Sequence, residues 1–234
     1  MAFTRIEAPS IKELFLSQME EMILSGELKA GDRLPTEREL ADAMGISKTV
    51  VHEGIKELSR MGFVDVASRK GVYVADYSTT GNLETLFAII RFRGGMPDRK
   101  MVLSLLDARI YLECPALRLV AANRTEKDIE KLKECQEMFR LAIPGPANEL
   151  ATRLFAYRRT VVIISGNCIT PLIMNAFFES SITAWADYCD HMGREETYKE
   201  LCLTTEFLEE GNGDAAASLF TDCVEKYKAH IRGQ

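Results

Sequence analysis

Residues 31–74 constrain the fold more than any other stretch, because their signals lie too close together to be read independently. Thr36 followed by Glu39 has the spacing of a capping box, and Pro35 just before it blocks helix propagation from upstream. The helix that begins there is short: Leu40 and Ala43 are expected to face inward and Gly45 to supply the turn. Ser47 is placed to cap a second helix from about Lys48 to Met61, with Val51, Ile55 and Leu58 at helical spacing and Gly62 closing it. Phe63–Val66 and Val72–Val74 alternate as strands around Ser68, Arg69, Lys70 and Gly71. Two helices at a tight turn, then a basic hairpin, make the plan of a winged helix-turn-helix, whose second helix enters a DNA major groove.

Ahead of this block, Ser10 and Glu13 form another capping box. The helix they start carries an apolar stripe of Ile11, Leu14, Phe15, Met19, Met22 and Ile23, read as core. Behind it, residues 76–83 are polar, with Gly81 and the hydroxyls of Ser78, Thr79 and Thr80. The expected organisation is a winged helix-turn-helix domain over 1–76, a linker over 77–83 and a second domain over 84–234. That second part reads as helix throughout. Leu83–Phe92 is interrupted by Gly94, Gly95 and Pro97, and Lys100–Asn123 is expected to kink at Pro115. Thr125 and Asp128 cap a helix reaching Leu141, and another runs to Ile164 and breaks at Ser165-Gly166-Asn167. Pro171–Met192, Glu195–Glu210 and Asp214–Ile231 follow. The fold class is therefore mainly α: a winged helix-turn-helix with a small β-hairpin, plus an all-α bundle of six or seven helices.

At 234 residues and 47% hydrophobic content the chain can fill two modest cores. No apolar run is long enough to cross a membrane and no signal peptide is expected. The six cysteines (114, 135, 168, 189, 202 and 223) include no CxxC pair and read as reduced, mostly buried thiols of a cytoplasmic protein. A net charge of −6 looks unsuited to DNA, but phosphate contacts depend on local clustering. Between Ser47 and Tyr73, Lys48, Lys56, Arg60, Arg69 and Lys70 outnumber Glu53, Glu57 and Asp65. The excess is small, so affinity is expected to need a dimer with two such surfaces.

The run from Gly31 to Leu40, then Ile46 to Val51, with Gly71 and Val74 in the hairpin, resembles the DNA-binding domain of the GntR family of bacterial transcription regulators. The resemblance implies base contacts from Arg38, Lys48, Thr49 and His52, with Ser47, Arg69, Lys70 and Gly71 positioning on phosphates or the minor groove. Lys48 and His52 stand where arginine is common, and arginine is the better bidentate reader of guanine, so the operator should differ from the family's usual one.

The helical half is similar to the FadR subfamily, with an FCD-type or FadR-type C-terminal domain. The landmarks are Asp107-x-Arg109 with Glu113, Ala121-Ala122, and Tyr157-Arg158 ahead of Ser165-Gly166-Asn167. The resemblance implies a homodimeric regulator, expected to act as a repressor on an operator of approximate two-fold symmetry and to respond to a small effector in the bundle. Many relatives hold a metal there with one carboxylate and three histidines. Counting back from Ser165 puts the first two ligand positions at Leu154 and Arg158, and the later ones fall near Leu201 and Cys223. Leucine has no donor and arginine no lone pair, so no metal or other cofactor is expected. Arg158 would instead attract an effector's carboxylate, with Arg109, Asn167 and Leu154 as further wall residues. The effector would be an organic acid or an acyl-CoA.

Plainer readings stand beside these. Arg109 and Glu113, four residues apart, fit a helix-surface ion pair, and Arg158 beside Arg153 and Arg159 fits a surface patch. Asn167 fits a helix terminator, and Trp185 with Phe177 and Phe178 fits core or dimer interface. Lys56 and Arg60 fall late on the second helix and are read as solvated. A metal-dependent carboxylate sensor and a helical enzyme fused to a DNA-binding module are the alternatives. The scatter of His52, His191 and His230, and the lack of a nucleophile motif, speak against an enzyme.

Overall fold

The computed structural model describes residues 8–92 and 98–233, which form two compact units, Met1–Met96 and Pro97–Gln234. The expected interruption at Gly94, Gly95 and Pro97 lies outside the described residues.

The first unit contains α1 (Ile11–Leu24), α2 (Glu37–Met44), α3 (Lys48–Arg60), β1 (Val64–Ala67), β2 (Gly71–Val74), α4 (Tyr77–Thr80) and α5 (Leu83–Phe92). Local chemistry sets the helix starts. The Ser10 N–H donates to Glu13 Oε2 at 2.7 Å, and the Thr36 N–H to Glu39 Oε2 at 2.8 Å, each completing a capping box. Gly45 turns the chain between α2 and α3 in the left-handed region, at φ 66°. The two strands pair antiparallel with Val64 opposite Val74 and Ala67 opposite Gly71.

Burial follows helical period with local exceptions. Phe15, Met19 and Ile23 of α1 are buried with Val51, Ile55 and Leu58 of α3, whereas Ile11 and Leu14 are more than half exposed. In α2 the buried pair is Leu40 and Ala41, and Ala43 faces outward, because a two-turn helix buries a narrow edge beside Leu40.

Helices α1 and α3 meet at Gly54, where an added Cβ would lie 2.3 Å from Cδ1 and Cε1 of the buried Phe15 ring. Gly54→Ala is therefore expected to destabilise this unit by about 2 kcal/mol. Overpacking of ~1–3 kcal/mol outweighs a helix-propensity gain of at most ~1 kcal/mol. Urea unfolding checks this, and an unchanged or raised midpoint would show that Phe15 repacks freely.

Residues 77–83, read from sequence as a linker, are bound to this unit instead, and the division between units falls after Met96. The Thr80 hydroxyl donates to Gly62 O at 2.9 Å, and Asn82 Nδ2 donates to Arg60 O at 2.8 Å. The polar residues that suggested a loop serve as caps for the end of α3. Gly62 sits at φ 76°, and an added Cβ there would be 2.5 Å from the Thr80 carbonyl oxygen, so this turn requires glycine.

The second unit is all helix among the described residues: α6 (Arg99–Asn123), α7 (Glu126–Ala142), α8 (Ala147–Ile164), α9 (Thr170–Ala176), α10 (Phe178–Met192), α11 (Arg194–Glu210) and α12 (Gly213–Gly233). Helix α8 packs against α6, α7, α9 and α10, and α12 against α6 and α11. Helix α6 runs through Pro115. The stretch expected as one helix from Pro171 to Met192 is two, parted at Phe177, with no Gly or Pro to mark the break. Cys114, Cys189 and Cys223 are buried, Cys135 and Cys202 half-buried and Cys168 exposed, all as free thiols. Among the described residues, no helix is long and apolar enough to cross a membrane.

Candidate functional site

Two regions concentrate the residues singled out from sequence, one in each unit. In the first unit, Ser47 caps α3 by accepting from the Val50 N–H at 3.3 Å, which leaves Lys48, Thr49 and His52 exposed on the first turns. Arg38 on α2 is also exposed, and its ion pair with Asp42 is long at 3.9 Å. His52 Nδ1 lies 2.7 Å from Glu37 Oε1, so one ring nitrogen is committed to bracing α3 against the start of α2 and Nε2 is left for a base. Later on α3, Lys56 pairs with Glu53 at 3.4 Å, and Arg60 pairs with Glu57 at 2.5 Å and with Glu84. Those two cations hold the unit's own carboxylates.

In the wing, Arg69 adopts φ 64° and Lys70 is exposed beside it. Arg33, which sequence reasoning passed over, belongs with them. It bridges to Tyr73, and its guanidinium lies against Gly71, with Nε 3.0 Å from where a Cβ would stand. The available signal was its place just before Leu34, whose N–H donates to Val72 O at 2.9 Å and fastens this segment to the hairpin.

In the second unit, three helices bring charged groups into the core and two more contribute aromatic rings. Arg109 and Glu113 come from α6, Arg158 from α8, Tyr188 from α10 and Glu200 from α11, while Phe220 of α12 lies beneath both guanidiniums. Arg158 is 2% exposed, so it is no surface patch. Its Nη2 donates to Glu200 Oε1, and the Tyr188 hydroxyl donates to Glu200 Oε2 at 2.7 Å. Its Nε and Nη1 are buried without a hydrogen-bond partner. Burial works against the charge of Arg158, and the Glu200 and Glu113 carboxylates more than offset it, so the guanidinium stays protonated.

Arg109 and Glu113 are not a surface pair either, since the Glu113 side chain is 3% exposed. Arg109 Nε donates to Glu113 Oε1 at 2.8 Å, and the Arg109 guanidinium lies 3.4 Å from the centre of the Trp185 ring. Glu113 Oε2 stands 3.9 Å from Arg158 Nε, too far for a hydrogen bond. A cavity of about 110 Å³ opens onto Arg109 and Glu113, and its other walls are apolar residues of α6, α8, α9 and α10 together with Phe177. Trp185, read from sequence as core or interface, is buried in the bundle core and, with Phe177, lines this cavity.

The remaining predicted residues fall elsewhere. Leu154 is fully buried in the core one turn before Arg158, and Phe155 is the α8 residue that lines the cavity. Asn167 is exposed, and its Oδ1 accepts from the N–H groups of Ile169 at 2.9 Å and Thr170 at 3.0 Å, as a cap for α9. The positions where relatives place metal ligands do not fit a metal here. Leu154 is apolar and Arg158 is a cation paired with Glu200. Among the described residues, no group of three or more His, Cys, Asp or Glu is arranged to hold one.

The comparisons with known proteins agree with this architecture. Residues 16–74 match the bacterial regulatory proteins of the gntR family, and residues 104–226, more than half of the chain, match the FCD domain. The chain is 33% identical to the transcriptional regulator Mce2R of Mycobacterium tuberculosis, over 56% of this chain and 54% of that protein. It therefore spans about half the length of that relative. It is 30% identical to the transcriptional regulator LutR of Bacillus subtilis, over 66% of this chain and 68% of LutR. Among solved structures, Lar of Listeria monocytogenes, which controls expression of the agr system, shares the fold at 17% identity and a TM-score of 0.59. That match covers 97% of this chain and 99% of Lar. With a winged helix-turn-helix at its front and an FCD bundle behind, the chain belongs to the gntR family of bacterial regulatory proteins, a family of regulators and not of enzymes.

Proposed function

We propose that the protein is a sequence-specific DNA-binding transcription regulator, acting as a homodimeric repressor in the manner of the FadR subfamily, whose hold on its operator is relaxed by a small anionic effector in the FCD bundle. Arg38, Lys48, Thr49 and His52 read bases, while Ser47, Arg33, Arg69, Lys70 and Gly71 position the wing and α3 on the duplex. The observation that carries the effector half is Arg158, a buried guanidinium with Nε and Nη1 unpartnered, close behind a cavity that opens onto Arg109 and Glu113. Buried donors left unmade are costly, and an acceptor-rich anion satisfies them. The effector must favour the conformation that does not bind DNA, since equal affinity for both would shift nothing.

The test begins with the duplex that the wild-type protein selects from random sequence, its binding followed by fluorescence anisotropy against a panel of organic acids. Wild-type protein is expected to release DNA with at least one class of acid. A variant with an apolar cluster, Arg158→Met with Tyr188→Phe and Glu200→Leu, is expected to show no response. A full response from that variant would sink the effector reading, and failure to select any duplex would sink the DNA-binding one.

A further inference from the structure

The cavity does not reach Arg158 directly. Glu113 stands in the way, one oxygen on Arg109 Nε at 2.8 Å and the other 3.9 Å from Arg158 Nε. Its carboxylate sits between two guanidiniums, where an entering carboxylate would have to go. The charge balance is already closed. Arg109 and Arg158 carry two positive charges, and Glu113 and Glu200 two negative ones. The nearby ionisable groups do not alter that balance near neutral pH. Burial pushes the thiols of Cys189 on α10 up to about 12 and of Cys223 on α12 up to about 11. Burial likewise raises the Tyr157 hydroxyl of α8 and the Tyr188 hydroxyl of α10. Adding an anion here without compensation would leave a net charge in a low-dielectric core.

The two carboxylates are not equally held. Glu200 has both oxygens committed, to Arg158 and to the Tyr188 hydroxyl. Among the described residues Glu113 has a single hydrogen bond, from Arg109. It is the group that can yield.

We propose that Glu113 is the resident anion of this cavity, and that the effector is a small monocarboxylate with one compact apolar group, bound together with a proton taken up by Glu113. The proposal rests on the effector reading above and names its ligand class. The ligand's carboxylate takes the place between Arg109 and Arg158, one proton passes from solvent to Glu113, and the cluster again holds two cations and two anions. Its apolar group lies against the ring of Phe155 and the side chain of Met174. The cavity, at about 110 Å³, suits a single ring or a branched alkyl group and is far smaller than the ~300–1,000 Å³ pockets of drug-sized ligands. An acyl-CoA does not fit inside it. Among the described residues Arg109 and Glu113 are the only charged ones lining it, so a second carboxylate or a hydroxyl on the ligand would be desolvated without a charged partner there.

Calorimetry on the full chain tests this with benzoate and isovalerate as probes, and with terephthalate and malate as acids expected to fail. Repeating each titration in buffers of different ionisation heat counts the protons taken up. Wild-type protein, titrated over a range of about pH 6 to 8, is expected to take up close to one proton per benzoate or isovalerate, and its affinity to fall as pH rises. The sign follows from linkage: a complex that holds one more proton than its parts weakens as pH rises. In Glu113→Gln, an isostere of the protonated acid, the uptake and the slope should vanish, and affinity at the upper end of the range should rise at least tenfold. Because the proton count is made on wild-type protein, it stands even if the variant folds poorly. Binding of the probes with no proton uptake would overturn the proposal and leave the effector reading in place. Tighter binding of malate or terephthalate would overturn the ligand class. If none of the acids binds either protein, the effector reading and the proposal built on it fall together.

Discussion

Removing Glu200 alone is expected to cost the C-terminal unit about 3–5 kcal/mol, among the largest single-residue effects in this chain. Glu200→Ala leaves Arg158 buried with all its donors unmatched except for the distant Glu113, and strips the Tyr188 hydroxyl of its acceptor. An unpaired buried charge is penalised far more than a lost hydrogen bond. The same position behaves differently when the whole cluster goes. The variant Arg158→Met, Tyr188→Phe, Glu200→Leu trades one buried ion pair and its hydroxyl for side chains of similar volume. It is expected to lie within about 2 kcal/mol of the wild type, on either side. Chemical denaturation of the three proteins checks both numbers. A Glu200→Ala protein as stable as wild type would show that water enters and solvates Arg158. A triple variant as unstable as Glu200→Ala would show that the cluster is structural after all. That pattern, costly to break and cheap to replace, would place the value of Arg158 in binding and not in stability.

How much of this was legible in the sequence depended on the range of the interaction involved. The capping boxes at Ser10, Thr36 and Thr125 were readable because both partners lie three residues apart and the chemistry is local. The wing was readable from alternation and its glycine, and the order of bundle helices from apolar period. Ala41 against Ala43, and the exposure of Ile11 and Leu14, were not readable, because tertiary neighbours decide which edge of a short amphipathic helix is covered. The break at Phe177 carried no breaker residue. The site divided in the same way. Arg109, its partner Glu113 and Arg158 stood out through the resemblance, but Glu200, which pairs with Arg158, and Tyr188, which braces Glu200, lie on separate helices, and nothing near Arg158 in sequence points to them. One signal was present. Glu200 falls with Thr197, Leu201, Thr204 and Leu208 on the buried face of α11, and a carboxylate on an inward face asks for a cation.

Loss of either Arg38 or Lys48 is expected to weaken specific DNA binding by about 1–3 kcal/mol, roughly five-fold to more than a hundred-fold in affinity. Both are exposed, Arg38 in the first turn of α2 and Lys48 at the start of α3, and Arg38 is tied to Asp42 only at 3.9 Å. Their neighbours down the helix provide the contrast. Lys56 and Arg60 are engaged with Glu53, Glu57 and Glu84, so releasing them to a phosphate first breaks contacts inside the unit. Lys56→Ala and Arg60→Ala should therefore change DNA affinity by less than about 0.5 kcal/mol, within the range of surface ion pairs. Titrations of each variant on the selected duplex and on a random one, at several salt concentrations, separate the roles. A base-reading residue loses more on the selected duplex than on the random one. A phosphate contact loses equally on both and lowers the salt slope by about one. If Arg38→Ala and Lys48→Ala follow the second pattern, reading falls to Thr49 and His52. His52, with Nδ1 held by Glu37, would then offer Nε2 to the groove, and Glu37→Gln should loosen that ring and relax sequence preference at one base pair of each half-site.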